Sequence, residues 1–556
     1  MSATLLTVDK VTEVFSKSVP EIKTFFSEWN DANARTLAFD GYKKDVRNKL
    51  GEKLDEFVDN EELTVTLINT IRLFSRDKTD IDCLMNPSLG DKILAFGGLP
   101  FKNGQPESLE LLMEAQKCLI NTLFNSEIAR NRFLANPESM EILSSYFSEF
   151  HKPIQAKSQH EWIRNLSEKD RVDIWYFYMR VGFIATVIDR DLQLKLAETP
   201  STLEHLLPAI EIIAPRPGRP ALVPRDLQMA EEAFKTFFNI YCHFQGDVTE
   251  INKEAGARTT RALRDIICSP EFSPDTIQGA VNCLSCPTLP IMLEVLCVDP
   301  KTNEPVGGEY KSMVFTEALL SDLEKRLKEI SAMISTDGST PSHVATEAEL
   351  LGPYFQALAR LCVESKHARR YCRLRILPPL SAEEVQKRPE EQNSLRGMII
   401  RVMMLPCAMK EVTAEFLFII CKRSVPRMIK YVGFGHSAGH LANSGLLGQL
   451  NLPRHASDSE DSETEEYSKV KDRSFSVNPV TGAVYPPDRG SALAGMSEEQ
   501  REFEAMKLVD AMNKMMDAGL VKPGTIGEDG RLREVSHVLE LIKNAPEPEG
   551  SGSDSD

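Results

Sequence analysis

Apolar residues recur at intervals of three and four positions through most of the first 430 residues, and this spacing constrains the fold more than any other feature of the sequence. One predicted helical face carries Leu63, Leu67, Ile71 and Phe74. Another groups Leu119, Leu123 and Phe124. Alternation with a period of two, which a half-buried strand would show, is scarce. The chain is therefore predicted to be all-α, with an elongated core or several cores.

Three stretches rich in Pro and Gly interrupt this periodicity, at residues 214–224, 299–308 and 336–342. Such composition is typical of loops. Because the helical pattern resumes on both sides of each stretch, they are predicted as loops between helices and not as linkers between domains. Residues 1–430 are predicted to form one helical domain, which a glycine-containing closing helix and turn at 431–450 completes.

Three of the predicted helices share a polar pair with a spacing of four residues. The pairs are Lys117/Asn121, Lys235/Asn239 and Gln278/Asn282. Four residues make about one helical turn, so both members of a pair project from one face. Armadillo and HEAT arrays stack such helices so that polar faces line a groove. This pattern favours a right-handed armadillo/HEAT-like α-solenoid, although each asparagine can instead satisfy a neighbouring turn.

Arg72 and Arg76 lie one turn apart on the polar side of an otherwise apolar helix. Solvated surface arginines of this kind contribute little to stability. The alternative is a pair of planar, multidonor groups that binds a carboxylate or a peptide carbonyl of a partner. The local sequence leaves both interpretations open.

The amino-acid composition of the chain changes near residue 450. Residues 451–556 hold 12 Lys and Arg against 22 Asp and Glu, and so carry −10 of the total formal charge of −17. This balance disfavours nucleic-acid binding, which requires a broad basic surface. Residues 451–496 are predicted to be a disordered acidic linker, residues 497–545 to hold C-terminal helices, and residues 546–556 to be a disordered tail.

The acidic linker contains two serines, Ser457 and Ser462, with a glutamate at the third following position. This spacing suits an acidophilic kinase, although an unmodified acidic spacer is the simpler alternative. Added phosphates could dock on Arg and Lys of the helical domain. The predicted counter-site is the basic run Lys366, Arg369, Arg370, Arg373 and Arg375.

Order is predicted to return at Ser497, which forms a capping-box pattern with Gln500. The helix that follows has an apolar stripe of Phe503, Met506, Val509, Met512 and Met516. A second short helix is predicted over residues 534–543. A methionine-rich face adapts to irregular apolar surfaces, which suits a contact with a partner.

Signatures of catalysis and metal binding are missing from the sequence. There is no phosphate-binding GxxxxGK[ST] loop, no HExxH and no GxSxG. Cys283 and Cys286 form the only CxxC, without a second pair of ligands, and are interpreted as buried helix residues. The glycines at 433, 435 and 439 depart from the dinucleotide-binding spacing and indicate a helix terminus. No enzyme activity and no cofactor are expected.

No secretory signal and no membrane-spanning segment are recognisable, so the eleven cysteines are expected to be reduced thiols in a cytoplasmic protein.

The strongest indication comes from a resemblance to a known family. The stretch 412–447, VTAEFLFIICKRSVPRMIKYVGFGHSAGHLANSGLL, is followed by SEDSETEEY, NPVTG at 478–482 and MSEEQREFEAMKLVDAMNKM at 496–515. In their order and their amino-acid sequence, these segments closely resemble the synembryn family. TIRLFSRD at 70–77, KCLIN at 117–121 and RILPPL at 375–380 add matches nearer the N-terminus.

The resemblance implies a guanine nucleotide exchange factor and folding chaperone for G-protein α subunits, which acts on GDP-bound or nascent subunits and is released by GTP. A non-catalytic scaffold that binds Gα or other partner peptides is the alternative. The family positions that bind the Gα C-terminal helix in the groove match Arg72, Arg76 and Asn121. The polar pattern adds four further residues to this predicted site, Lys117, Lys235, Asn239 and Asn282.

The resemblance also implies further properties of the chain. The family's phosphosites map onto Ser457 and Ser462, for an acidophilic kinase such as casein kinase two, and the helix at 497–517 corresponds to a second contact with Gα. Recruitment to the cell cortex through Gα, in receptor signalling and asymmetric cell division, is also expected, and the protein is expected to be a monomer.

Overall fold

The computed structural model describes residues 5–151, 160–247, 250, 252–334, 342–380 and 387–447, and beyond these only short stretches between 497 and 534. The chain divides into two compact units, Met1–Phe315 and Thr316–Asp556. This division falls inside the span that the sequence predicted as one helical domain. The predicted loop at 336–342 lies almost entirely outside the described residues.

Sixteen helices are described in the first unit. They are α1 (Val8–Phe15), α2 (Val19–Ala32), α3 (Lys44–Phe57), α4 (Thr64–Phe74), α5 (Pro87–Phe96), α6 (Leu109–Asn125), α7 (Glu127–Leu134), α8 (Pro137–Glu149), α9 (Glu161–Arg164), α10 (Glu168–Ile188), α11 (Arg190–Glu198), α12 (Ser201–Glu211), α13 (Pro224–Tyr241), α14 (Lys253–Ile267), α15 (Pro274–Ser285) and α16 (Leu293–Leu296). A short 3-10 helix, Ile81–Cys83, lies between α4 and α5.

These helices pack in two parallel series, which we call ladders. In the first ladder, which consists of α2, α4, α6, α10, α13 and α15, each helix contacts the next one of the series. In the second ladder α5, α7, α8, α12 and α14 follow one another in the same way. Pairs such as α5 with α6 and α12 with α13 join the two ladders. This is the stacking of helix pairs expected of an armadillo/HEAT-like array, and it confirms the predicted all-α repeat architecture of this unit.

Polar residues fix where several of these helices begin. Asn86, Ser108, Ser126 and Asp189 each accept a hydrogen bond from the backbone N–H three residues later. Such caps satisfy N–H groups that have no partner inside the helix. A defined start fixes which residues a helix presents to its neighbours.

The core of the first unit contains the apolar face predicted from sequence. Leu63, Leu67, Ile71 and Phe74 are all fully buried. Phe74 also stacks on Trp29 of α2, with 5.1 Å between the ring centroids. The predicted face of α6 is confirmed only in part, because Leu119 and Leu123 are buried whereas Phe124 is 62% exposed. Phe124 is one residue beyond Leu123, and a step of one residue turns a side chain by about 100° around a helix.

Eight helices are described in the second unit. They are α17 (Val314–Met333), α18 (Ser342–Glu349), α19 (Gly352–Glu364), α20 (Lys366–Ile376), α21 (Leu395–Met403), α22 (Met409–Ile420), α23 (Val425–Val432) and α24 (Phe434–Asn443). A 3-10 helix covers Pro389–Glu391. The apolar helix α22 contacts α19, α20, α21, α23 and α24, and so lies at the centre of this unit.

The span 431–450, predicted as a closing helix and turn, contains α24 and the residues that follow it. Gly433 has a φ of 89° between α23 and α24, a conformation that favours glycine. Gly445, with a φ of 68°, follows α24. Gly433 therefore marks a helix end, as predicted, whereas Gly435 and Gly439 lie inside α24.

The C-terminal region contains one element that the sequence analysis missed. Strand β1 (Gly524–Ile526) pairs antiparallel with β2 (Leu532–Glu534). Only helices were predicted between 497 and 545. The segment between the strands reads GEDGR, and a Gly- and Asp-rich segment of this kind favours a turn between paired strands. Among the described residues, no helix combines the length and apolarity needed to cross a bilayer.

Candidate partner-binding groove

The first ladder presents a cluster of charged side chains where α4 meets α6. Arg72 Nε donates to Glu114 Oε1 and Arg72 Nη2 donates to Asn69 Oδ1 at 2.8 Å. Lys117 Nζ lies 3.3 Å from Glu114 Oε2. We call Arg72, Glu114 and Lys117 the first cluster. Its carboxylate therefore holds one cation from each of two neighbouring helices.

Arg76 lies one turn beyond Arg72 and contacts the loop that follows α2. Its Nη1 donates to the carbonyl oxygen of Ala34 at 2.7 Å and to that of Thr36 at 3.4 Å. Partial burial and the repulsion of Arg72 lower the pKa of Arg76, and Glu114 acts in the opposite direction. Arg76 is half-buried and donates to backbone carbonyls, so it is not a fully solvated surface arginine.

The asparagines of α6 tie this helix to α4. Asn121 Nδ2 donates to the carbonyl oxygen of Arg72 at 3.2 Å, and Asn125 Nδ2 donates to that of Ser75 at 2.8 Å. Carbonyls in the last turn of a helix lack partners within that helix. Asn121 thus adopts the simpler of its two predicted roles, although a carboxamide also carries an acceptor oxygen for a ligand.

The same arrangement recurs where α10 meets α13. Arg180 Nη1 lies 2.6 Å from Glu232 Oε1, and Lys235 Nζ lies 3.1 Å from the same oxygen. We call Arg180, Glu232 and Lys235 the second cluster. Asn239 Nδ2 donates to Thr186 Oγ1 of α10 at 3.1 Å. Sequence analysis identified Lys235 and Asn239 but missed Arg180 and Glu232.

A groove of about 350 Å³ opens beside the second cluster, between α10, α13 and α15. Its apolar floor is formed by Phe183, Phe234 and Phe238. Its polar wall is formed by Glu231, Lys235, Asn239, Asp275, Gln278 and Asn282. The structure therefore brings two of the three predicted polar pairs together in one groove. The third pair, Lys117/Asn121, lies on α6, two helices earlier in the ladder.

Gln278 and Asn282 satisfy each other within this groove, since Gln278 Nε2 donates to Asn282 Oδ1 at 2.8 Å. Gly279 allows α13 to approach closely, because a Cβ at this position would lie 2.7 Å from Phe234 Cδ2. A larger residue at 279 would therefore displace the phenylalanine that forms the floor.

Comparison with known proteins assigns the chain to a family. The family described as guanine nucleotide exchange factor synembryn matches residues 67–531. The chain belongs to the synembryn family. Its similarity to "Chaperone ric-8" of Caenorhabditis elegans is 52% identity over 99% of this chain and 98% of the relative. The protein of the same name from Caenorhabditis briggsae is 51% identical over 99% of both chains. "Chaperone Ric-8A" of Danio rerio is 28% identical over 96% of both chains.

In this synembryn chain Cys283 and Cys286 are buried in and beside α15. Burial raises the pKa of the Cys283 thiol well above its usual value, so the reactive thiolate is disfavoured. All eleven cysteines lie among the described residues and are free thiols. Within that same part of the chain, no group of three or more His, Cys, Asp or Glu side chains is placed to hold a metal ion.

Most of the predicted second contact of the synembryn family lies outside the described residues. Met506 is helical and 68% exposed. Phe503, Val509, Met512 and Met516 are not among the described residues, and neither are Ser457 and Ser462.

The fold places the residues of the predicted basic counter-site in different surroundings. Arg373 is buried, and Arg375 pairs with Glu317 at 3.1 Å and Glu324 at 3.6 Å. Burial therefore removes Arg373 from the predicted site, whereas Arg375 is already paired with two glutamates although 39% of its side chain is exposed. Arg369 instead faces a cavity of about 200 Å³, together with Lys422 and Arg423 of the turn after α22.

Glu231 is the carboxyl of the groove with a shifted pKa. Burial raises the pKa of Glu231, Glu232 and Asp275 add to the rise, and Lys235 opposes it. The folded synembryn therefore holds a proton on Glu231 more tightly than the unfolded chain does. This contribution to stability is fully present below the unfolded pKa of 4.5 and is lost as the pH rises from 4.5 through the higher folded pKa, because ionisation is costlier in the folded state.

Glu231→Gln removes this ionisation. We expect the variant to have a higher free energy of unfolding than wild type at pH 7, with the difference disappearing below pH 4.5. Urea unfolding followed by circular dichroism at both pH values measures it. Glu28→Gln, on the exposed face of α2, is the control. A gain of equal size at both pH values would contradict the electrostatic explanation.

Proposed function

We propose that this synembryn binds G-protein α subunits, accelerates their release of GDP and assists their folding. The groove is proposed to receive the C-terminal helix of Gα along the first ladder. The observation that carries the proposal is the combination of an aromatic floor with two cationic clusters on neighbouring helices of one ladder. Membership of an exchange-factor family and relatives named as chaperones support it.

The chemistry of the groove suits an amphipathic helix. Phe183, Phe234 and Phe238 offer apolar surface to its hydrophobic residues. Arg72 and Lys117 offer N–H donors to the carboxylate and exposed carbonyls at its C-terminal end. Phe124, which is exposed on α6, offers a further apolar side chain on a helix of the same ladder. A helix that buries one face here keeps its polar face in water.

Exchange then follows from coupling between two sites on Gα. The C-terminal helix of a Gα subunit leads directly into the loop that holds the guanine base. A groove that binds this helix in its displaced position favours the nucleotide-free conformation and lowers the affinity for GDP. The coupling is reciprocal for each nucleotide, so GTP, which favours the closed conformation of Gα, in turn lowers the affinity of Gα for the exchange factor.

The same preference accounts for chaperone activity. A newly made Gα subunit, whose nucleotide-binding domain has not closed, resembles the nucleotide-free form, and a protein that binds this form protects it. No bond is made or broken, and no cofactor is needed. We also propose that the protein acts in the cytoplasm as a monomer, and that Gα recruits it to the cell cortex.

The proposal predicts capture that depends on the nucleotide. Immobilised full-length protein should retain GDP-loaded or empty Gα and release it when a non-hydrolysable GTP analogue is added. A panel of Gα classes, analysed by quantitative blotting, measures this. Equal retention with GDP and with the analogue would instead indicate a passive scaffold, and no retention of any class would reject the partner.

Replacing both Arg72 and Arg76 with Ala should weaken binding of a Gα C-terminal peptide by tenfold or more. Charge-assisted hydrogen bonds contribute about 1.5–3 kcal/mol each, and tenfold corresponds to about 1.4 kcal/mol. Calorimetric titration measures the change. Arg258→Ala is the control, because Arg258 forms a comparable ion pair with Glu211 on the second ladder. Unchanged affinity with an unchanged thermal melt would remove both arginines from the site.

We further propose that phosphorylation of Ser457 and Ser462 strengthens exchange by docking the acidic linker on the cavity formed by Arg369, Lys422 and Arg423. Docking would raise the effective concentration of the C-terminal helix near bound Gα. After treatment with an acidophilic kinase, wild type should exchange nucleotide faster than Ser457→Ala/Ser462→Ala. Arg369→Glu/Arg423→Glu should abolish the kinase effect. Equal rates for all three treated proteins would leave the linker as a passive spacer.

A further inference from the structure

Glu114 of α6 lies among three cations where α4 meets α6. Its Oε1 accepts from Arg72 Nε, and its Oε2 lies 3.3 Å from Lys117 Nζ. Glu114 also acts on Arg76, because its charge opposes the lowering of the Arg76 pKa that burial and Arg72 cause. One carboxylate therefore counters the repulsion among three positive side chains.

The contact with Arg72 uses one particular edge of the guanidinium. In an arginine, Nε–H and one N–H of Nη2 point in the same direction and form the side-on edge. Here Glu114 accepts from Nε, and Asn69 Oδ1 accepts from Nη2 at 2.8 Å. Glu114 belongs to α6 and Asn69 to α4, so acceptors from two helices occupy this edge and fix the plane of the guanidinium.

The end-on edge of the same guanidinium is not used in this way. Arginine has five N–H donors, and the two bonds of the side-on edge use two of them. Among the described residues, no acceptor is bound to Nη1 of Arg72. Nη1 and the second N–H of Nη2 form the end-on edge, whose geometry matches the two oxygens of a carboxylate. The side chain of Arg72 is 19% exposed, so a partner can reach it.

Helix α6 also fixes the backbone beneath this side chain. Asn121 Nδ2 donates to the carbonyl oxygen of Arg72 at 3.2 Å. Glu114 and Asn121 are seven residues apart, which is about two turns, so they lie on one face of α6. This face therefore holds both the main chain and the guanidinium of Arg72.

We propose that Glu114 is a positioning residue of the partner site, which holds Arg72 so that its end-on edge meets a carboxylate of the partner. Glu114 acts through Arg72 and does not itself bind the partner. This inference rests on the proposed function, in which Arg72 binds the C-terminal segment of Gα. It adds a residue that the sequence analysis did not select.

Two effects of Glu114 on binding oppose each other. A long side chain that is already fixed loses less conformational entropy when a ligand binds, which favours binding. The negative charge of Glu114 repels the carboxylate of the ligand, which disfavours binding. Two variants separate these effects, because Glu114→Gln and Glu114→Ala both remove the charge. Only Gln retains an oxygen that accepts from Arg72 Nε.

The test compares the affinities of these two variants for a Gα C-terminal peptide, measured by titration calorimetry with the full chain. Glu114→Ala should bind about fivefold more weakly than Glu114→Gln, which lies within the entropy cost of immobilising one long side chain. When Arg72→Ala is added to each variant, the two proteins should bind equally. No guanidinium then remains for position 114 to hold.

Glu211 provides the matched control. It accepts from Arg258 Nε at 3.0 Å and from Arg258 Nη2 at 2.5 Å, on the second ladder. Glu211→Ala and Glu211→Gln should therefore bind the peptide equally, and thermal melting of every variant measures its stability separately. A difference between the Glu211 variants as large as that between the Glu114 variants would indicate a general loss of stability and overturn the positioning role.

Two further results would overturn the inference. One is equal affinity of Glu114→Ala and Glu114→Gln for the peptide. The other is a difference that persists in the presence of Arg72→Ala, because Glu114 would then act by a route other than Arg72. If Arg72→Ala alone left the affinity of wild type unchanged, the proposed function would fail at this residue, and the positioning role would fail with it.

Discussion

The shared carboxylates Glu114 and Glu232 are the interactions on which the groove depends. Each brings an arginine from one helix and a lysine from the next to within bonding distance of a single acid. Two cations placed so close would repel each other without it. The carboxylate also fixes the side chains before a ligand arrives, which reduces the entropy lost on binding.

The ladder of helices allows such clusters to recur. Each helix of the first ladder contacts the next, so a pattern on one helix face is repeated along the stack at the spacing of the helices. Asn121 and Asn239 reinforce this spacing by bonding the preceding helix. A surface built in this way suits a long partner segment better than a compact small molecule.

Much of the architecture could be predicted from sequence because it depends on local spacing. The buried face of Leu63, Leu67, Ile71 and Phe74 is confirmed, and the pairs Lys235/Asn239 and Gln278/Asn282 meet in one groove. Arg180 was missed because its partner, Glu232, lies 52 residues away in the sequence. The spacing of residues within one helix does not indicate such a pair. For Glu232 a signal was available, because Glu232, Lys235 and Asn239 have the same spacing as Glu114, Lys117 and Asn121. Burial of Arg373 likewise depends on tertiary packing.

The central claim is that binding of Gα at the first ladder is coupled to loss of its nucleotide. The most direct measurement is the release of a fluorescent GDP analogue from purified Gα, with and without the full-length protein. Faster release with wild type, and release near the intrinsic rate with Arg72→Ala/Arg76→Ala, is the predicted result. Release at the intrinsic rate with wild type, for every Gα class that it binds, would contradict the account.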